Sequence, residues 1–304
     1  MTEPTTTLTD ELAWLMTSPA MLRPDIPGLP IMPEEHRQRL AAAAEPWLRR
    51  LESGGEEARR LSYRPPGERG GHRAEALMAA WLQHVPQVTL VADRLPVSAQ
   101  GRTLGELDLV YDDEVRGCRV HCELAVKLHL QVGDSSAWQA WIGSDPRDSL
   151  ARKLVHLRDH QLPLGRLAPM RDGRPCISEA LVLGWLLQHP LATRRSPDGA
   201  AADHLRGWWI QHGQQLPQAA RSSRFVVLPP GTWLAPARVS GDREVLAGGQ
   251  LAALLDGHFT RTRNAVLVAE VRRDGAGDWC EAARGMVVHR GWPDEPGDGD
   301  AEDR

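Results

Sequence analysis

The middle of the chain is written in two alternating stretches. From Leu104 to Tyr111, positions Leu104, Glu106, Asp108 and Val110 fall on one side, and Gly105, Leu107, Leu109 and Tyr111 on the other. That is the period-two signature of a strand. Asp112 to Gly117 is polar and ends in a turn glycine, and Cys118 to Leu130 reads as a second strand. The pair predicts a hairpin. Upstream, the spacing predicts helices over 9–22, with Thr9 as N-cap, and over 34–52, with Pro46 inside, then a polar loop over 56–70. An amphipathic helix follows over 71–84, striped by Ala74, Leu77, Met78 and Trp81, and then a strand over 87–95. Downstream, a loop over 131–145 leads to a helix over 146–160, opened by Pro146 and striped by Leu150, Leu154 and Leu157. Residues 179–187 are nearly all apolar, as in a strand buried on both faces. Beyond them the pattern predicts a helix over 200–212, a strand over 224–228, a helix over 243–256 and a strand over 264–272.

The expected fold class is therefore α/β, with a mixed central sheet flanked by helices. Residues 1–66 form an N-terminal helical extension, 67–190 the core and 191–292 a C-terminal α/β extension. Residues 293–304 hold six acids and one arginine, and this composition predicts a disordered acidic tail.

Composition changes this picture in three ways. No apolar run reaches membrane-spanning length, and the N-terminus lacks the basic and apolar regions of a secretory signal. The four cysteines, at 118, 122, 176 and 280, show no CxxC spacing. Together these predict buried thiols in a cytoplasmic protein, with no zinc knuckle, no disulfide framework and no membrane partner. The net charge is −4, but without the tail it becomes +1, so charge does not exclude a nucleic-acid partner. Of the 36 basic residues only two, Lys127 and Lys153, are lysines. Where lysine survives such a bias, a compact ammonium able to shift its pKa is a physical reason to refuse arginine.

The candidate chemistry lies in the hairpin. Asp108 sits between Leu107 and Leu109; Glu123 and Lys127 sit among Cys122, Leu124, Ala125, Val126 and Leu128, on one strand face. Charges set into apolar strands are costly unless they meet partners. A divalent cation held by Asp108 and Glu123, with Lys127 beside it, satisfies all three, and carboxylate oxygens suit Mg²⁺ or Mn²⁺. Such a cation polarises a phosphate and lowers the pKa of its water, while the lysine positions that water. The bland reading is a structural salt-bridge network. Glu106 shares the Asp108 face, as a supporting acid or a surface one. Lys153 could reach a phosphate from its helix or simply snorkel at the core edge. His72, His121 and His129 show no metal-ligand spacing.

These residues resemble the PD-(D/E)XK nuclease superfamily, and more narrowly a bacterial family catalogued as domain of unknown function 1853. The resemblance is carried by Gly71-His72-Arg73-Ala74-Glu75-Ala76-Leu77, by Gly105-Glu106-Leu107-Asp108-Leu109 and by Glu123-Leu124-Ala125-Val126-Lys127, with support from Trp141 through Lys153 and Gln161-Leu162. It implies an αβββαβ core and Mg²⁺-dependent cleavage of DNA or RNA. It further implies that Glu75 completes the metal site with Asp108 and Glu123, that the Leu124 carbonyl adds a ligand, and that Lys127 orients the attacking water. The sequence departs from the superfamily at one place. Three residues, not one, separate Glu123 from Lys127, and Ala125 occupies the usual acidic position. The alternative reading is a degenerate nuclease-like fold that binds nucleic acid or protein without cutting.

Overall fold

A computed structural model describes residues 6–65, 67–99, 101–167, 176–193, 195–217 and 223–294. The tail predicted to be disordered lies, from residue 295, outside them.

Four helices open the chain: α1 (Leu8–Thr17), α2 (Glu34–Glu52), α3 (Glu56–Ser62) and α4 (Gly70–Gln83). Thr7, not Thr9, caps α1, accepting from the Asp10 N–H in a capping box. The polar stretch expected to be a loop contains α3, which buries none of its residues. Three strands follow, β1 (Val88–Ala99), β2 (Arg102–Asp113) and β3 (Cys118–Gln131), then the short β4 (Trp141–Ile142). Next come α5 (Leu150–His156), a π-helical turn over Leu157–Gln161 and the single turn α6 (Leu162–Leu164). Pro146 lies in the turn before α5, and Ser149 caps the helix by accepting from the Arg152 N–H. Then come β5 (Cys176–Gln188), β6 (Leu205–Gln211), β7 (Arg224–Leu228), β8 (Arg238–Val239), α7 (Gly248–Phe259), β9 (Val266–Arg273) and β10 (Trp279–Val288).

All the described strands join one mixed sheet, ordered β1-β2-β3-β5-β6-β10-β9-β7, with β4 on β3 and β8 on β10. The α/β expectation holds, and α4-β1-β2-β3-α5-β5 follows the expected helix, three strands, helix, strand order. β3 and β5 run parallel over twelve residue pairs, from Arg119–Cys176 to Leu130–Leu187, with α5 in the crossover. The helix expected over 200–212 is instead β6, parallel to both β5 and β10. A strand buried on both faces carries no alternation, so Trp208, Trp209 and Ile210 are as compatible with a helical stripe as with β6. The sequence reading also misses β10, whose apolar half is confined to its last residues.

β3 is covered on both sides, and this places the site. Its even positions Val120, Cys122, Leu124 and Val126 join the core formed with α1, α2 and α4. Ala125, on the odd face, packs with Trp141, Leu150, Leu157 and Leu162 in a second cluster under α5. The odd face therefore carries His121, Glu123, Lys127 and His129 as a polar stripe beneath the α5 crossover.

Candidate active site

β2 and β3 pair from Asp113–Cys118 to Leu109–Cys122. The next step in register sets Asp108 opposite Glu123, on the face beneath α5. There the backbone ladder stops, and Asp108 Oδ2 accepts from the Leu124 N–H at 2.9 Å. The carboxylate thus replaces a ladder bond, and the Leu124 carbonyl, which projects to the same side as its N–H, faces the same gap. Glu123 is fully buried. Its Oε1 meets His121 Nε2 at 2.7 Å, while His121 Nδ1 meets Ser178 Oγ at 3.1 Å. Its Oε2 accepts from Gln161 Nε2, and Gln161 Oε1 accepts from Lys153 Nζ at 2.8 Å. The extra residue of the π-turn places Gln161 at this point.

Glu75, half-buried on α4, lies close enough to Asp108 and Glu123 for the carboxylates to repel one another. Burial, then the charges of Glu123 and Glu75, push the Asp108 carboxyl up to about 8, against the Leu124 hydrogen bond and Lys153. Burial also pushes Glu75 up, with Glu106 and Glu123 adding and His72 and Arg94 opposing. Burial pushes Lys153 down, while Asp108 and Glu123 pull it back up. Lys153 is thus the ammonium that faces the acids.

Lys127 is engaged elsewhere. Four residues along a strand span about 13 Å, so Lys127 stands well beyond Glu123 and donates instead to Asp148 Oδ2 at 2.8 Å. Burial pushes Asp148 up, but His129 and Lys127 outweigh it and hold the carboxyl well below the usual range. Glu106 is exposed and pairs with Arg94 at 3.4 Å. The structure therefore brings together Asp108, Glu123, Leu124, Glu75 and Lys153, and leaves Lys127 and Glu106 at the margins. The sequence reading assigns no role to Gln161 and leaves His121 among ordinary histidines. Asp148, just before α5, holds Lys127.

A divalent cation fits this donor set in part. The donors are hard oxygens, and neither Asp108 Oδ1 nor the Glu75 carboxylate has a hydrogen-bond or ion-pair partner among the described residues. Carboxylate oxygens left open beside other acids can be met by a cation. Among the described residues, however, no three His, Cys, Asp or Glu side chains stand together as a ligand group. The set on offer is Asp108, Glu123 and the Leu124 carbonyl, with Glu75 close by but outside it.

Fold and site define an α/β protein whose central hairpin gathers acids and one lysine under a crossover helix. The chain belongs to the family described as Domain of unknown function (DUF1853), whose model matches residues 10–288. That match does not extend to the PD-(D/E)XK superfamily. No curated protein and no solved structure matches the chain. Among the described residues, no helix is long and apolar enough to cross a membrane.

Proposed function

We propose that this protein is a divalent-metal-dependent nuclease of the PD-(D/E)XK type, with DNA or RNA as substrate. The observation that carries the reading is the register of β2 against β3, which sets Asp108 opposite Glu123 within reach of Glu75 and Lys153, on an αβββαβ core. Asp108, Glu123 and the Leu124 carbonyl would hold Mg²⁺ or Mn²⁺, and Glu75 would complete the negative field. When bound, such an ion polarises a phosphate and supplies hydroxide near neutral pH. His121, backed by Ser178, fixes the Glu123 carboxylate. Lys153, anchored by Gln161, presents its ammonium to the attacking water or to a phosphate oxygen. Lys127, to which the resemblance assigns that role, braces Asp148 at the far end of the stripe.

The test is direct. Folded protein should take up Mn²⁺ in calorimetry and cleave DNA or RNA, and Asp108→Asn and Glu123→Gln should each lose cleavage by at least about 100-fold while keeping the fold. Intact DNA and RNA, together with no Mn²⁺ uptake, would sink the reading. One observation favours a non-cutting binder as the second reading: both Glu123 oxygens are already taken, by His121 and Gln161. That reading expects nucleic-acid or protein binding that is indifferent to Mn²⁺.

A further inference from the structure

Arg94 has a left-handed backbone, with φ of 52°, in the middle of β1. Few side chains other than those of Gly, Asn and Asp adopt that region without cost. No register shift explains it. The shifts in β1 fall between Leu90 and Ala92 and between Val97 and Ser98, whereas Arg94 lies between the regular pairs Asp93–Leu109 and Leu95–Leu107. That places Arg94 opposite Asp108, which is opposite Glu123. One transverse row thus crosses three strands, arginine beside acid beside acid. The guanidinium is about half exposed, and its partner is Glu106, itself 44% exposed, at 3.4 Å. Its charge also reaches Glu75. A loosely held cation at the rim of an acidic site, on a backbone that glycine would relax, is poorly explained by stability.

We propose that Arg94 is a substrate-binding residue, whose guanidinium leaves Glu106 to hold a nucleic-acid phosphate beside the one that meets Asp108 and Glu123. This rests on the nuclease reading and adds to it the anchor on β1. Arginine suits the task because its fork can hold two phosphate oxygens at once. Glu106 keeps the guanidinium extended toward the site until the substrate replaces it.

The experiment measures binding of a labelled DNA duplex by anisotropy, with single-stranded DNA and RNA of the same sequence alongside. Ca²⁺ replaces Mg²⁺, and salt runs from about 50 to 200 mM. Arg94→Gly and Arg94→Asn, both compatible with the left-handed backbone, should melt within about 3 °C of wild type. Both should bind about tenfold more weakly, and the slope of log affinity against log salt should be shallower by about 0.9 on duplex. Arg49→Ala, on α2, should track wild type. If wild type binds with a salt-dependent slope and the Arg94 variants share that slope, Arg94 is a structural residue and the inference alone falls. If wild type binds none of the three nucleic acids at low salt, the nuclease reading falls and takes the inference with it.

Discussion

Without a cation, Asp108 works against the fold, and the sign of its effect can be derived. Its ordinary pKa is 3.8, and in the folded chain it is pushed up to about 8 by burial and by Glu123 and Glu75. Between those values the folded state holds a proton that the unfolded state has released. Stability must then fall as pH rises through that window and level off outside it. Asp108→Asn keeps an acceptor for the Leu124 N–H and removes the charge. In chelator-treated protein the variant should melt higher than wild type near pH 8, with the gap closing toward about pH 4. Mn²⁺ should raise the melting temperature of wild type at pH 8 and do little for the variant. Parallel melting curves across the pH range would show that Asp108 carries no such burden. The two lysines make a second pair of expectations. Lys153 faces the acids, whereas Lys127 is neutralised by Asp148. Lys153→Met should therefore tighten Mn²⁺ binding by about three- to tenfold through lost repulsion while cleavage falls by at least about 100-fold. Lys127→Met should leave Mn²⁺ affinity near wild type, and the reverse pattern would return the active role to Lys127. Asp108 and Glu123 are legible in the sequence because a strand's period of two fixes which residues share a face. Lys153 is visible as a candidate, but its place facing the acids, and those of Gln161 and Arg94, follow from register and crossover, which local periodicity does not encode.

At the scale of elements, the crossover segment after α5 is what closes the site. The π-turn over Leu157–Gln161 carries Gln161 onto Glu123, and the chain then passes over β3 and β5 at Gly165. A β-carbon there would come within 2.1 Å of Ser178 Oγ and 2.5 Å of His121 Nδ1. Gly165→Ala should therefore push apart the Ser178–His121–Glu123 chain, at a cost of about 1–3 kcal/mol. A lower urea midpoint with unchanged slope would report that cost, and calorimetry should show weaker Mn²⁺ uptake as Glu123 loses its brace. A variant as stable as wild type with full Mn²⁺ affinity would mean that the close approach is not needed. The other end of the same sheet shows how a long edge is kept from pairing with foreign strands. β1 carries two register shifts, Pro96 and the left-handed Arg94, each of which interrupts a regular row of free backbone groups. The sequence shows Pro96 but not the rest, because bulges and backbone sign depend on the partner strand. It likewise hides the π-turn, since one inserted residue leaves the leucine spacing of the crossover helix almost unchanged.

Across the whole molecule, the N-terminal helices, the central hairpin and the C-terminal strands share one core. Trp185 of β5 marks the meeting point. Trp14 of α1 stacks on it with ring centroids 5.0 Å apart and 4° between planes, and the Arg284 guanidinium of β10 lies 4.2 Å from its ring centroid. The same apolar cluster runs from Leu12 and Trp47 through Trp81, Tyr111 and Leu124 to Trp209, Met286 and Trp292. The segments 1–66, 67–190 and 191–292 are separable in composition, but β6 and β10 continue the sheet directly from β5. Sequence distance hides much of this, because the joining contacts lie far apart along the chain, as with Trp14 and Trp185 or Trp185 and Arg284. The consequence can be tested by dissection. A fragment spanning residues 67–190 keeps the whole candidate site but loses the partners of Trp185 and two of the three helices, α1 and α2, that build the core with Leu124 and Val126. It should show no cooperative thermal transition and bind no Mn²⁺, whereas the full chain should melt in one step, with near- and far-ultraviolet signals coincident. Within the full chain, Trp14→Ala should cost about 3–5 kcal/mol and weaken Mn²⁺ binding only as far as it unfolds the protein. A fragment that folds and takes up Mn²⁺ alone would instead show that the central segment is a domain, with the helices before it and the strands after it as additions.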